Sequence, residues 1–340
     1  FFESYGSKDR ELIAEIQEKL RKEAEKCSCL EGFIITRSVR GYNASGLGSR
    51  LLELLSEYDK TVKMDFRLYP DHCNPSLDPE DAFNSALATY YALNANTDFS
   101  ICLDSGALSR ICSQNLDIKS PSFDDVCDLS AYLLESLTLP MRQKGLINGG
   151  LKDMANNLVP FPRLNHLIPA LAPILCQNKL KSVKQDTTTL TSSLFSSQSQ
   201  LIDCGDLKNQ PYKHLACYMS YQGKDFDLAE IDDSVDKLGK KLSFADFSPA
   251  KFKVCLNEQS PQSTKKIFNN KNSILGLINS TKISNVFASL KSKADTFVKS
   301  DDFQTKYSNN DSAARESIED LGYLIEDYNA YSNDNLDSDF

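Results

Sequence analysis

The residues Ser38-Val39-Arg40-Gly41-Tyr42-Asn43-Ala44-Ser45-Gly46 put glycines and serines directly after a short apolar run. An anion-binding turn needs that order: a strand, then backbone N–H groups that point at a phosphate, then a helix whose N-terminal dipole favours negative charge. Gly41 and Gly46 permit close approach, and Arg40 offers a cation. Tyr42 brings a bulky side chain where backbone must come near, and it is a poor occupant of any position that needs a positive φ. On these residues alone a phosphate loop and a plain structural turn are both open. Asp153, in Leu151-Lys152-Asp153-Met154, reads on its residues alone as one of many exposed acids on a helix beginning near Gly150. Cys27-Ser-Cys29 is too tight for a zinc pair, and His72, His166 and His214 stand apart in sequence, so no metal is assigned.

The elements that must position these residues follow from periodicity. A helix is expected over 8–26, with Leu12, Ile13, Ile16, Leu20 and Ala24 on one face. Short buried strands are expected at 33–36, 64–69 and 99–103, with a loop over 40–50 and helices at 51–55, at 79–92 and after Asp104. From Ser120-Pro121 a long helix carries Asp124 and Asp125 in its first turn and Val126, Leu129, Leu133 and Leu137 on its apolar stripe, until Pro140 ends or kinks it. Further strands are expected at 215–221 and 252–256. The Ser/Thr/Gln-rich stretch 185–200 is read as an ordered helix, and two amphipathic helices finish the chain. Helices alternating with buried strands imply an α/β fold with a largely parallel sheet covered on both faces.

With 340 residues, 41% of them hydrophobic, the chain can bury a sizeable core. A net charge of −9 with no basic stripe makes nucleic acid a poor partner, and no apolar run reaches the length of a membrane span. Ten cysteines scattered over this length are expected to be reduced thiols.

The long helix from Ser120, the Gly-rich connection after it and Asn157-Leu158-Val159-Pro160-Phe161-Pro162-Arg163 resemble the central helix and following segment of tubulin. RKEAEKCSCLEGF, FNSALATYYAL and ALSRICSQNLDIKSPSF keep that family's order, and the likeness covers nearly the whole chain, closer to the alpha than the beta type. The family's first hundred or so residues have no counterpart here, as expected of a chain whose first part lies outside this sequence. The resemblance implies a tubulin/FtsZ-like fold: a partial Rossmann-like nucleotide domain over 1–122, a central helix over 123–144, an intermediate α/β domain over 145–272, and C-terminal helices with a short tail over 273–340.

The same resemblance assigns nucleotide contacts to Ser38, Gly41, Tyr42, Asn43, Ser45, Gly46, Asp81, Ser105, Phe123 and Cys127. Several depart from the family. Arg40, Tyr42 and Ala44 replace glycines. Ser105 and Cys127 replace the asparagines that read guanine, and Phe123 loses a tyrosine hydroxyl. Losing amide pairs removes most of the discrimination a site builds from hydrogen bonds. In Asp104-Ser105-Gly106-Ala107, Gly106 stands where the family has Glu, and Gly150 replaces an acid three residues before Asp153. The resemblance places Asp153 against the nucleotide of the next subunit, acting in trans. The implied cofactor is GTP, weakly held or absent, with Mg2+ only alongside it. The implied partners are tubulin-like subunits, with a beta-type longitudinal neighbour, and the microtubule lattice. Neither nucleic acid nor membrane is expected, and the setting the resemblance implies is the cytoplasmic cytoskeleton, the axoneme included. Three functions follow as expectations: a divergent alpha-like subunit of, or binder to, microtubule polymers; a scaffold that binds no nucleotide; an active GTPase. The resemblance does not extend to motor binding, because Asp301–Asp311 lacks the family's Gly-Glu-Gly pattern and the tail Asn335–Phe340 is only mildly acidic. Arg163 is read as bonding to nearby carbonyls or acids.

Overall fold

The computed structural model describes residues 1–6, 10–147, 149–182, 184–205, 211–247, 251–262 and 270–332. The tail Asn335–Phe340 and the middle of the long 257–272 loop lie outside them. In chain order the elements are α1 (Phe2–Tyr5), α2 (Arg10–Lys26), β1 (Gly32–Ser38), α3 (Tyr42–Leu55), β2 (Val62–Tyr69), α4 (Pro79–Asn94), β3 (Phe99–Asp104), α5 (Ser105–Gln114), α6 (Phe123–Arg142) and α7 (Leu151–Leu158). There follow β4 (His166–Ala172), α8 (Gln177–Leu180), α9 (Thr187–Ser193), β5 (His214–Gln222), α10 (Leu228–Gly239), β6 (Phe252–Asn257), β7 (Ser273–Ser280), α11 (Ser284–Val298), α12 (Asp301–Tyr307) and α13 (Asp311–Ala330).

The strands form one sheet in the order β1-β2-β3-β4-β7-β5-β6. β1 to β4 run parallel, β5 and β6 run parallel, and β7 opposes both of its neighbours. Helices cover both faces. α4, α11 and α13 pack an apolar layer on one face, and α5, α6 and α7 pack a second on the other. This is the α/β fold with a largely parallel sheet covered on both faces that the residue pattern implies.

Two strands escape the sequence reading, and both are central. β4 contains Pro169, which argues against an inner strand. Its missing donor falls on the side away from β7, where the Pro169 carbonyl accepts from Leu201 N–H at 2.9 Å. β7 is buried along its whole length, and such a continuous apolar run shows no period that separates strand from helix. It opens the stretch expected to hold only helices and tail.

The expected loop over 40–50 is largely helix, because α3 already begins at Tyr42. Glycines inside that segment read as breakers, but only Gly41 takes a positive φ, of 74°. Tyr42 is helical, so its position requires no positive φ.

The long central helix starts at Phe123, as the resemblance implies and two residues after the Ser120-Pro121 signal. Ser122 caps it: Asp125 N–H donates to the Ser122 hydroxyl at 3.3 Å, and Asp125 accepts from Ser122 N–H at 2.9 Å. Pro140 does not end it, since α6 runs on to Arg142. Pro140 has no N–H for the Ser136 carbonyl, and the Gln222 side-chain amide supplies the donor from β5, at 2.6 Å. Stretch 185–200 contains the short helix α9, with Leu190 and Leu194 buried. Arg163 reaches α13, pairing with Asp320 at 3.0 Å and Asp327 at 2.8 Å.

Candidate nucleotide site

The carboxyl ends of β1, β2 and β3 lie side by side, and each feeds a connection into a helix. Parallel α/β sheets bind ligands in the crevice at such ends. Most of the residues expected at the site gather there, and several of their polar groups are bonded to neighbouring protein groups.

Ser38 closes β1, and its hydroxyl accepts from Arg40 N–H at 3.2 Å. Gly41 caps α3 with its backbone alone. The Ser45 hydroxyl donates to the Gly41 carbonyl of its own helix. Gly46 is buried beneath α1, and Asn43 accepts from the Ser4 hydroxyl at 2.8 Å. Tyr42 points outward, 55% exposed.

Across the crevice Asp81 sits in the first turn of α4, and Arg40 Nε meets its Oδ2 at 2.7 Å. The Arg40 side chain is 63% exposed and that of Asp81 only 16%, so the arginine folds over the acid from outside. The pair joins the turn after β1 to the acid expected near the ribose. The same turn of α4 is fastened a second time. Lys306 from α12 pairs with Glu80 at 2.5 Å, and the Tyr307 hydroxyl donates to the same carboxylate at 3.0 Å.

Ser105 opens α5, directly after the N-cap Asp104, which accepts from Gly106 N–H at 2.9 Å. Phe123 opens α6 and is 76% exposed, and Cys127 lies exposed one turn on. Neither ring nor thiol is held against another expected contact. Ser105 offers a hydroxyl and Cys127 a weakly hydrogen-bonding thiol at the two positions where the resemblance implies asparagine amides.

One cluster was not foreseen. His72, in the loop after β2, lies 3.4 Å from Asp104 Oδ2 through Nδ1, and its Nε2 is 3.5 Å from Cys73 Sγ. Burial, with Asp71 and Asp203 adding, raises Asp104 to about 7. Burial and the same carboxylates push the Cys73 thiol to about 11, so it is no thiolate nucleophile at neutral pH. Adjacent numbering of His72 and Cys73 was the only sequence signal for this grouping. Among the described residues no His/Cys/Asp/Glu group is arranged to hold a metal ion.

Asp153 belongs to the other end of the sheet. It lies at the third position of α7, where its Oδ2 accepts from Gly150 N–H at 3.4 Å. The adjacent Lys152 N–H donates to Glu31, the residue before β1, at 3.2 Å. Ser38 and the phosphate-type turn sit at the far end of that same strand, which covers about 20 Å at ~3.3 Å per residue. Asp153 and the other expected contacts are not brought together within one chain.

Two family models match: the Tubulin/FtsZ family GTPase domain over residues 1–113 and the tubulin C-terminal domain over residues 162–292. A tubulin alpha chain of Dictyostelium purpureum is 33% identical over 84% of this chain and 87% of its own length. The chain belongs to the tubulin family. Another alpha chain, from Dictyostelium discoideum, is 35% identical over 85% of this chain, which spans 64% of that relative. The tubulin alpha-3 chain of Zea mays is 31% identical over 94% of this chain and 71% of its own. Among the described residues no helix is long and apolar enough to cross a membrane.

Proposed function

We propose that this tubulin is an alpha-like structural subunit that joins, or binds to, a microtubule-type polymer. Its own GTP site is degraded, and Asp153 is presented to the nucleotide of a beta-type longitudinal neighbour. The observation that carries the reading is the placing of Asp153 at one end of β1 and the phosphate-type turn at the other. A head-to-tail, heterologous contact joins two such ends and repeats without closing, which is the geometry of a filament. An acid held at one end is complementary to a nucleotide only when two subunits stack.

The Arg40–Asp81 pair favours a second reading, a tubulin-fold scaffold that holds no nucleotide of its own. In the first reading nucleotide, with Mg2+ alongside it, must displace that pair. In the second it never does. The setting proposed for both is the cytoplasmic cytoskeleton, the axoneme included.

The test is co-assembly of the full chain with beta-type tubulin, followed by assays of retained nucleotide and of phosphate release per polymerised subunit. The subunit reading expects co-assembly and a fall in phosphate release on Asp153→Ala of about tenfold or more, the scale on which misplaced water-orienting groups cost rate. Co-assembly with unchanged release would remove Asp153 from the reaction. Nucleotide retained tightly at this chain's own site would overturn both the degraded site and the scaffold.

A further inference from the structure

Gly150 and Gly106 both stand where the resemblance implies an acid, and at both places a carboxylate from another segment fills the space. A Cβ built on Gly106 would collide with the Asp71 carboxylate, and one built on Gly150 would collide with Glu31 Oε1. The second case lies beside Asp153. Glu31 is held from two sides. Its carbonyl accepts from Val62 N–H at 3.0 Å, just ahead of the β1–β2 pairing, and its Oε1 accepts from Lys152 N–H at 3.2 Å. Asp153 accepts from Gly150 N–H on the same turn. Two carboxylates therefore share the first turn of α7, where the unpaired N–H groups and the helix dipole stabilise negative charge. Tyr218, buried in β5, packs its hydroxyl against this turn, 2.5 Å from where a Cβ on Gly149 would lie, with Cys255 and Ser220 beside it.

We propose that Glu31 is a positioning residue for Asp153: the acid absent at position 150 is supplied from the start of β1. This rests on the reading that Asp153 acts on a neighbour's nucleotide. Glu31 fixes the Lys152 amide and with it the pitch of the first turn, so that one Asp153 oxygen stays on Gly150 N–H and the other faces outward to the attacking water. Its charge adds to the anionic field that holds the water's protons toward α7. No covalent step passes through Glu31.

The test relocates the acid. In co-polymers of the full chain with beta-type tubulin and GTP, Glu31→Ala is expected to lower phosphate release per polymerised subunit about tenfold. Gly150→Asp alone is expected to lower it as well, since the new side chain meets Glu31. The double variant Glu31→Ala/Gly150→Asp is expected to return to within about threefold of the parent chain. Glu31→Gln keeps an acceptor for Lys152 N–H without the charge, and is expected to fall between parent and Glu31→Ala. Parental release by Glu31→Ala, or a double variant no better than Glu31→Ala, overturns the proposal. So does a loss that follows polymer mass while the rate per subunit holds, because that is the signature of folding alone. Asp153→Ala measured alongside separates the two layers. If it is silent, the trans reading fails and Glu31 with it. If it is damaging while Glu31→Ala and Glu31→Gln are silent, only the Glu31 proposal fails.

Discussion

At the scale of single residues, the chain invests charge in its interior as well as at its ends. Arg37 and Asp65 are buried and paired at 2.7 Å, and Arg67, wholly enclosed, meets the same carboxylate. Burial alone would raise the Asp65 pKa, but the two guanidiniums outweigh it and hold the group below the ordinary carboxylate range. Removing that one anion leaves two interior cations facing each other. Asp65→Asn is therefore expected to cost about 3–5 kcal/mol in chemical denaturation, the loss typical of a broken buried pair. His214 gives a second prediction, with the sign set by burial. It lies among Phe195, Tyr212 and Phe244, with Lys282 near, and burial first, then Lys282, lowers it from 6.5 to about 3. Below pH 6.5 the unfolded chain takes a proton that the folded chain refuses. The His214 contribution is thus whole above 6.5 and declines as pH falls, by about 1.4 kcal/mol per unit. His214→Phe is expected to lose roughly 2 kcal/mol less than the parent between pH 7.5 and pH 5, read as the shift in denaturation midpoint at each pH.

At the scale of elements, α6 shows a break in a helix mended from outside. The Ser136 carbonyl freed by Pro140 takes its donor from Gln222. Gln222→Met is expected to cost about 1–3 kcal/mol, the penalty for a buried acceptor left bare. Pro140→Ala in that background restores a helical N–H and is expected to recover most of it, while Pro140→Ala in the parent gains little. Equal losses in both backgrounds would show that the amide does not serve the proline. The same helix shows what is legible in a sequence. Its stripe, acidic first turn and length were readable because they are local, and so were β1, β2, β3, β5 and β6. β4 and β7 were not, because Pro169 breaks a local rule whose consequence depends on the neighbouring strand, and a run buried on both faces carries no period. The site follows the same division. The turn at Ser38–Gly46 was legible from order and residue type. Arg40 on Asp81, Glu31 at Gly150 and Asp71 at Gly106 join residues distant in the chain, and only the folded sheet brings them together.

At the scale of the whole molecule, the sheet is a polar object: β1 to β4 all point one way, and the Ser38–Gly46 turn and Asp153 lie at opposite ends of β1. A subunit built so has two unlike faces, and a defect at one should leave the other competent. This makes the filament reading testable without any assay of hydrolysis. Asp153→Arg places a cation on the α7 face, where it would meet a neighbour across a desolvated contact, and a mismatched charge there costs several kcal/mol. The crevice face, some 20 Å away along β1, is untouched. Added in small amounts to growing polymers seeded with labelled filaments, the variant should add through its intact face and then refuse the next subunit. Growth should therefore stop at one filament end and continue at the other, in microscopy that distinguishes the two. A side-by-side binder, whose contacts do not involve the sheet's ends, predicts no such asymmetry. Equal slowing of both ends, or of neither, would mean that the two faces do not meet in the polymer. Asp153 and Glu31 would then be surface acids of a scaffold.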